Sequence, residues 1–180
     1  MILSSPKTNV KKLALSSILA ALGTATITIG SFFEILDLTL AVVASFFALF
    51  AYLEIGRRYS LMIYLATSLL SFIIAPSKFC ASAYLFFFGF YPLIKPLCER
   101  LPKIPSYVLK LLIFNSLLSL LIAVSIYVLG LPPAEFGFSL IVYVLGNAAF
   151  ILYDEALTRL VYLYELKLRK RLIKSDFFKY

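Results

Sequence analysis

Six long apolar runs divide this 180-residue chain, and its basic residues collect at alternate ends of those runs. A helix of about 20 apolar residues crosses the ~30 Å hydrocarbon core of a membrane. If the runs cross in turn, all of the seventeen Lys and Arg residues except Lys78 lie on one side. Short basic loops stay cytoplasmic, so the sequence predicts a compact all-α bundle of six transmembrane helices with both termini inside. The predicted spans are 13–33, 36–53, 60–75, 79–94, 107–131 and 138–163.

Composition agrees with an integral protein of the plasma membrane. The chain is 62% hydrophobic and only 14% charged, well outside the range of water-soluble domains. Its net charge of +8 does not indicate nucleic-acid binding, because the basic residues flank apolar spans instead of lining a polar domain. We expect one membrane domain over residues 1–180, with a basic cytoplasmic tail at 164–180 that contacts anionic lipid. The first span is too long for the core of a cleaved signal peptide.

The third and fourth spans are short for a membrane crossing, at about sixteen residues each. Either they include loop residues or part of one is re-entrant. Pro92 lies in the fourth span and predicts a kink, because proline removes a helical hydrogen bond. The ammonium of Lys95, one turn further on, could extend towards lipid phosphate.

The chain has no motif that predicts catalysis. It lacks histidine, its two cysteines are expected near opposite membrane faces, and no phosphate loop or nucleophile elbow is present. Asp154 and Glu155 would need a further convergent acid, base or metal to act as an enzyme. We therefore expect a protein that is not an enzyme and has no metal or cofactor. Glu155 and Arg159 are spaced for an ion pair on the last helix.

Short outer loops combine aromatic side chains with a few charges, a pattern typical of small-molecule sites. The alternative is an interfacial belt of aromatic residues with solvated charges. Asn147 also has a structural alternative, an interhelical hydrogen bond. The predicted ligand-binding residues are Phe33, Glu34, Asp37, Lys78, Tyr84, Glu135 and Asn147.

Small residues recur every four positions in the first span and form two adjoining stripes. Small side chains allow helices to approach closely in lipid. The stripes therefore predict either packing inside the bundle or docking onto a separate protein. One stripe contains Ser16, Ala20 and Thr24, and the other contains Ser17, Ala21 and Ala25.

The six-span layout and the segment from Lys11 to Gly23, KKLALSSILAALG, resemble the substrate-binding S components of energy-coupling-factor vitamin transporters. The resemblance implies an uptake subunit that captures a vitamin-like small molecule at the outer face. It also implies that small residues of helix 1 dock onto a transmembrane coupling subunit, which works with ATPase subunits. Serine stands at the first position of each stripe, where the family has alanine. No ligand signature of a known member is present.

A second class of protein has a similar layout. Scaffold subunits of bacterial cell-wall synthesis also have five or six spans. A scaffold would use the Glu155–Arg159 helix end and the basic tail for partner contacts, and would need no outer ligand site.

Overall fold

The computed structural model describes residues 6–33, 36–132, 139–164 and 166, and every regular element among them is helical. The all-α class predicted from sequence is therefore confirmed for these residues. The chain forms two compact units, residues 1–138 and 139–180. The first unit contains α1 (Pro6–Gly30), α2 (Asp37–Glu54), α3 (Arg57–Ile74), α4 (Lys78–Ala83), a π-helical segment (Tyr84–Phe88), α5 (Tyr91–Cys98) and α6 (Lys103–Tyr127), and the second contains α7 (Leu140–Leu163).

Five helical segments of the described chain are long and apolar enough to cross a membrane. Large apolar side chains are exposed along them, as expected for surfaces that face lipid. Helix α3 is also 18 residues long, but Arg57, Arg58 and several hydroxyl side chains lower its mean hydropathy. The five segments are Val10–Gly30, Asp37–Glu54, Lys78–Cys98, Lys103–Tyr127 and Leu140–Leu163.

Helices α1, α2 and α3 pack against one another within the first unit. The segment Lys78–Cys98, called the fourth segment below, packs against α2 and α3 on one side and α6 on the other. Alanines 41, 44, 48 and 51 of α2 are fully buried, and their small side chains let the neighbouring helices approach closely.

The two ends of the first unit differ in charge. The α1–α2 and α3–α4 junctions meet at one end, called the Asp37 end below, where Ser77 contacts Asp37. The α2–α3 turn and the α5–α6 junction lie at the opposite end, called the basic end. That turn is made at Gly56, whose φ of +111° is unfavourable for any residue with a side chain. The basic end carries Arg57, Arg58, Lys95, Arg100, Lys103 and Lys110.

At the basic end, the carboxylate of Glu99 joins α5 to α6. Glu99 Oε1 lies 3.4 Å from Lys95 Nζ and 3.1 Å from Lys110 Nζ. Both lysines are buried. The expectation that Lys95 extends towards lipid phosphate is therefore wrong, because its side chain is buried and its ammonium pairs with Glu99.

Pro92 lies in the first turn of α5, where a missing N–H removes no helical hydrogen bond. The helical path is interrupted just before it, at Gly89 and Phe90. The irregularity expected from this proline thus takes the form of a π-helical segment followed by a restart of the α-helix.

Within the second unit, polar groups of α7 bond along their own helix. Asn147 Nδ2 donates to the Tyr143 carbonyl at 2.8 Å, and the Thr158 hydroxyl donates to the Asp154 carbonyl at 2.9 Å. The predicted ion pair between Glu155 and Arg159 is confirmed, with 2.9 Å between Arg159 Nε and Glu155 Oε1. Both of its side chains are exposed, so it contributes little to stability.

Candidate functional site

Helix α3 buries hydroxyl side chains and exposes apolar ones. Its inward face carries Ser60, Tyr64, Thr67, Ser68 and Ser71, at spacings of three and four residues. Leu65, Leu69 and Ile73 on the opposite face are each more than half exposed. This is the reverse of an amphipathic helix in water, and it is the arrangement expected when lipid surrounds the helix and polar groups face the interior.

Close contact between α1 and α3 brings this face against backbone. Thr67 is fully buried and its hydroxyl donates to the Ala20 carbonyl at 3.4 Å. A Cβ at Gly23 would lie 3.1 Å from the Thr67 methyl carbon. Glycine at this position is what allows α1 to approach Thr67 so closely.

Opposite α3, the π-helical segment presents Tyr84. The Gly89 amide donates to the Tyr84 carbonyl at 2.8 Å, the i→i+5 bond that defines this geometry. The Tyr64 hydroxyl donates to the Leu85 carbonyl at 2.8 Å and so ties α3 to the segment. A Cβ at Gly89 would lie 2.6 Å from Tyr64 Cδ2 and 2.8 Å from Tyr84 Cε1. Both rings therefore pack against the backbone of Gly89, which has no side chain.

Three hydroxyls in this region are buried and have no hydrogen-bond partner among the described residues: Ser68 Oγ, Ser71 Oγ and Tyr84 OH. Thr67 lies beside the Tyr84 hydroxyl without forming a hydrogen bond of normal geometry. A buried hydroxyl without a partner costs about 1–3 kcal/mol. Native proteins rarely leave such groups unbonded unless a ligand or water completes the bonding.

We call these groups, together with Thr67, the hydroxyl layer. Ser71 is three residues from the last residue of α3, and Thr67 is seven. At 1.5 Å per residue, the layer lies roughly 5–10 Å below the end of the helix. It therefore occupies the half of the unit nearer the Asp37 end.

A second polar group lies at the end of the unit above this layer. It contains Asp37, Ser77, Cys80 and Ser31, and we call it the Asp37 cluster. Asp37 begins α2 and is buried. Its Oδ2 accepts a hydrogen bond of 2.8 Å from the Ser77 hydroxyl, which also caps α4 by accepting from the Cys80 amide. The Cys80 thiol lies 3.2 Å from the Asp37 carbonyl and beside Ser31. Cys80 and Tyr84 belong to one buried cluster, which connects the Asp37 cluster to the hydroxyl layer.

Lys78, next to this cluster, caps α3. Its ammonium donates to the carbonyls of Phe72, Ile73 and Ala75 at 2.8, 3.4 and 2.9 Å. These carbonyls end a helix and have no partner within it. A cation also interacts favourably with the negative end of the helix dipole.

The predicted ligand-binding residues have different positions in the structure. Asp37, Lys78 and Tyr84 lie in the same half of the first unit, as described above. Phe33 lies at the same end, with its side chain 58% exposed. Glu34 and Glu135 are outside the described residues. Asn147 belongs to the second unit and bonds to its own helix.

The two stripes on α1 have different exposures. Ser16, Ala20 and Thr24 are buried, and Ala20 and Thr24 are joined by a side-chain hydrogen bond of 2.9 Å. Ser17, Ala21 and Ala25 are exposed. Internal packing thus occupies the first stripe, while the second faces outward from the first unit.

The sequence prediction did not include Thr67, Ser68, Ser71 or Ser77. The first three, with Tyr64, recur at i, i+3, i+4 and i+7 within an apolar run, a helical period of polar side chains that was a usable signal. Ser77 follows Pro76 in a short loop, and nothing in the sequence indicates its contact with Asp37.

Comparison of the chain with family models, with curated proteins and with solved structures gave no match.

Proposed function

We propose that this protein is a membrane-embedded subunit that binds a small polar solute at its outer face. The observation that carries the proposal is the hydroxyl layer: Ser68, Ser71 and Tyr84 are buried in a lipid-facing bundle without partners among the described residues. A solute with hydrogen-bonding groups would complete their bonding. Polar groups placed between membrane helices at a cost in stability commonly mark sites of function.

The charge of the two ends supports an outward orientation of this site. Arg57, Arg58 and Arg100 lie at the basic end, with the lysines there, whereas Lys78 lies at the Asp37 end. Because basic ends stay in the cytoplasm, we infer that the Asp37 end faces outward. The inside-out polarity of α3 supports its inclusion as a sixth span, and six spans place both termini inside.

We further propose that the exposed stripe Ser17, Ala21 and Ala25 docks onto a transmembrane coupling subunit that works with ATPases. Both stripes are small enough for close helix contact in lipid. Exposure favours this one, because Ser16, Ala20 and Thr24 are buried inside the first unit. The proposal agrees with the resemblance to S components of energy-coupling-factor transporters.

Co-purification of the tagged protein from its native membrane in mild detergent tests this assignment. We expect a transmembrane coupling subunit and two ATPase subunits in the wild-type sample. An A21L sample, with a bulky side chain on the exposed stripe, should lose them. Recovery of cell-wall synthesis proteins without ATPases would contradict the transport assignment and favour a scaffold.

A further inference from the structure

The ionisable side chains around the hydroxyl layer limit the charge of a solute that can bind there. Of the described residues at the Asp37 end, Asp37 and Lys78 are the two from the acidic and basic residue types Asp, Glu, Lys and Arg. Asp37 is only 7% exposed. A buried carboxylate favours a cation nearby and disfavours a second anion.

Lys78 does not offset this preference for a cation, because its N–H donors are already bonded to carbonyls. An ammonium has three N–H donors, and that of Lys78 has three carbonyl acceptors at the end of α3. An anionic solute would have to displace one of these bonds. The helix would then lose a cap where its unpaired carbonyls need one.

Hydroxyl groups provide the rest of the bonding without a charge preference. A serine hydroxyl donates one hydrogen bond and accepts up to two, so Ser68 and Ser71 can bond to either an amine or a hydroxyl. Tyr84 adds a phenolic hydroxyl with both capacities. Among the described residues, the carboxylate of Asp37 is therefore the group that sets the charge preference.

From this geometry we propose that the site takes a small solute that carries a protonated amine and at least one hydroxyl, with the amine nearer Asp37 and the hydroxyl in the hydroxyl layer. This inference rests on the proposed function, since it assigns a chemical class to the solute of the same site. Charge-assisted hydrogen bonds are stronger than neutral ones. The difference in free energy between a charge-assisted and a neutral hydrogen bond is enough to change the affinity about tenfold.

Three two-carbon probes test the charge preference directly: ethanolamine, ethylene glycol and glycolate. Each has a hydroxyl, and their charges at neutral pH are +1, 0 and −1. The full-length protein in lipid nanodiscs is titrated with each probe, and ligand-observed NMR gives the Kd. We expect ethanolamine to bind about tenfold more tightly than ethylene glycol, and glycolate more weakly than both.

The variant D37N keeps the size of the side chain and an oxygen for Ser77, but removes the charge. It should bring the Kd of ethanolamine close to that of ethylene glycol. The matched control is E54Q, at the opposite end of the same helix, which should keep the wild-type ranking. If D37N does not fold, the ranking of the three probes on the wild-type protein still decides whether the site prefers a cationic solute.

Several results would overturn the inference. Tightest binding of glycolate or of ethylene glycol would do so and would leave the proposed function standing. An ethanolamine preference that survives in folded D37N would also overturn it. If no probe binds, the inference fails, and co-purification with ATPases decides separately whether the proposed function stands.

Discussion

Tyr64 and Tyr84 lie with their ring centroids 6.4 Å apart, and they differ in how their hydroxyls are bonded. The Tyr64 hydroxyl donates to the Leu85 carbonyl, whereas the Tyr84 hydroxyl has no hydrogen-bond partner among the described residues. Both rings pack against Gly89. The pair thus offers two tyrosines in one environment, one with a structural hydroxyl and one whose hydroxyl we assign to solute binding.

Removing each hydroxyl separately should have different effects on stability. Y64F loses a hydrogen bond between α3 and the π-helical segment, so we expect a loss of about 1 kcal/mol in the free energy of unfolding. Y84F removes a buried hydroxyl without a protein partner, so the solute-free protein should be equally stable or more stable. Thermal unfolding in nanodiscs measures both. A larger loss for Y84F than for Y64F would show that the Tyr84 hydroxyl has a structural partner.

Gly89 should not tolerate a side chain. In G89A the new Cβ would lie 2.6 Å from Tyr64 Cδ2 and 2.8 Å from Tyr84 Cε1. Such overpacking typically costs about 1–3 kcal/mol, which equals or exceeds the roughly 1 kcal/mol that alanine gains over glycine in a helix. We expect a lower unfolding temperature and a weaker response to solute, because the Tyr84 ring must move.

Gly130 provides the matched control for G89A. Its φ is +67° and no atom lies within 4 Å of a Cβ built there. G130A should therefore lose about 1 kcal/mol through backbone strain alone, and its solute response should equal that of the wild type. Equal solute responses in G89A and G130A would contradict a role for the position of the Tyr84 ring.

Lys78 should contribute to stability by capping α3. K78M keeps most of the aliphatic length but removes the three hydrogen bonds to the Phe72, Ile73 and Ala75 carbonyls. We expect a loss of about 1 kcal/mol, seen as a lower unfolding temperature. K78R keeps a cation with several donors and should recover part of that loss. If K78M is as stable as the wild type and loses solute binding, Lys78 contacts the solute instead of capping the helix.

The two stripes on α1 should respond differently to a larger side chain. Ala20 is 6% exposed and packs in a cluster with Ala51 and Ile63, so A20L should destabilise the fold by about 1–3 kcal/mol. Ala21 is exposed, and A21L should change stability by less than about 0.5 kcal/mol while abolishing recovery of the coupling subunit. Retention of that subunit by well-folded A21L would remove this stripe from the docking surface.

Hydropathy and charge predicted much of the fold, because lipid imposes a strong requirement for long apolar helices. The apolar runs and the Glu155–Arg159 pair could be found this way. The π-helical segment could not, because its geometry depends on how Tyr64 and Tyr84 pack against Gly89. The i,i+4 spacing of Lys95 and Glu99 was a usable signal for their ion pair. The burial of Lys95 could not be predicted, because it depends on how α5 packs beside α6.

The candidate site was predicted in part, through Asp37 and Tyr84. Ser68 and Ser71 were missed although their helical spacing was a usable signal that they share one face. Spacing does not show which way that face points, and the rotation of α3 within the bundle puts both inside. In the same way, the rotation of α1 about its axis decides which of its two stripes is exposed. Small residues at a spacing of four indicate a packing face, but not whether its partner is inside the protein.

Native mass spectrometry of the protein, purified from its native membrane into nanodiscs and released without denaturation, tests the central claim most directly. We predict a bound solute of low molecular mass on the wild-type protein. It should be lost when Ser71 is replaced in S71A, and retained when Ser82, which donates to the Lys78 carbonyl, is replaced in S82A. Wild-type protein that carries only lipid, or a solute that S71A retains in full, would contradict the assignment of a solute-binding site to the hydroxyl layer.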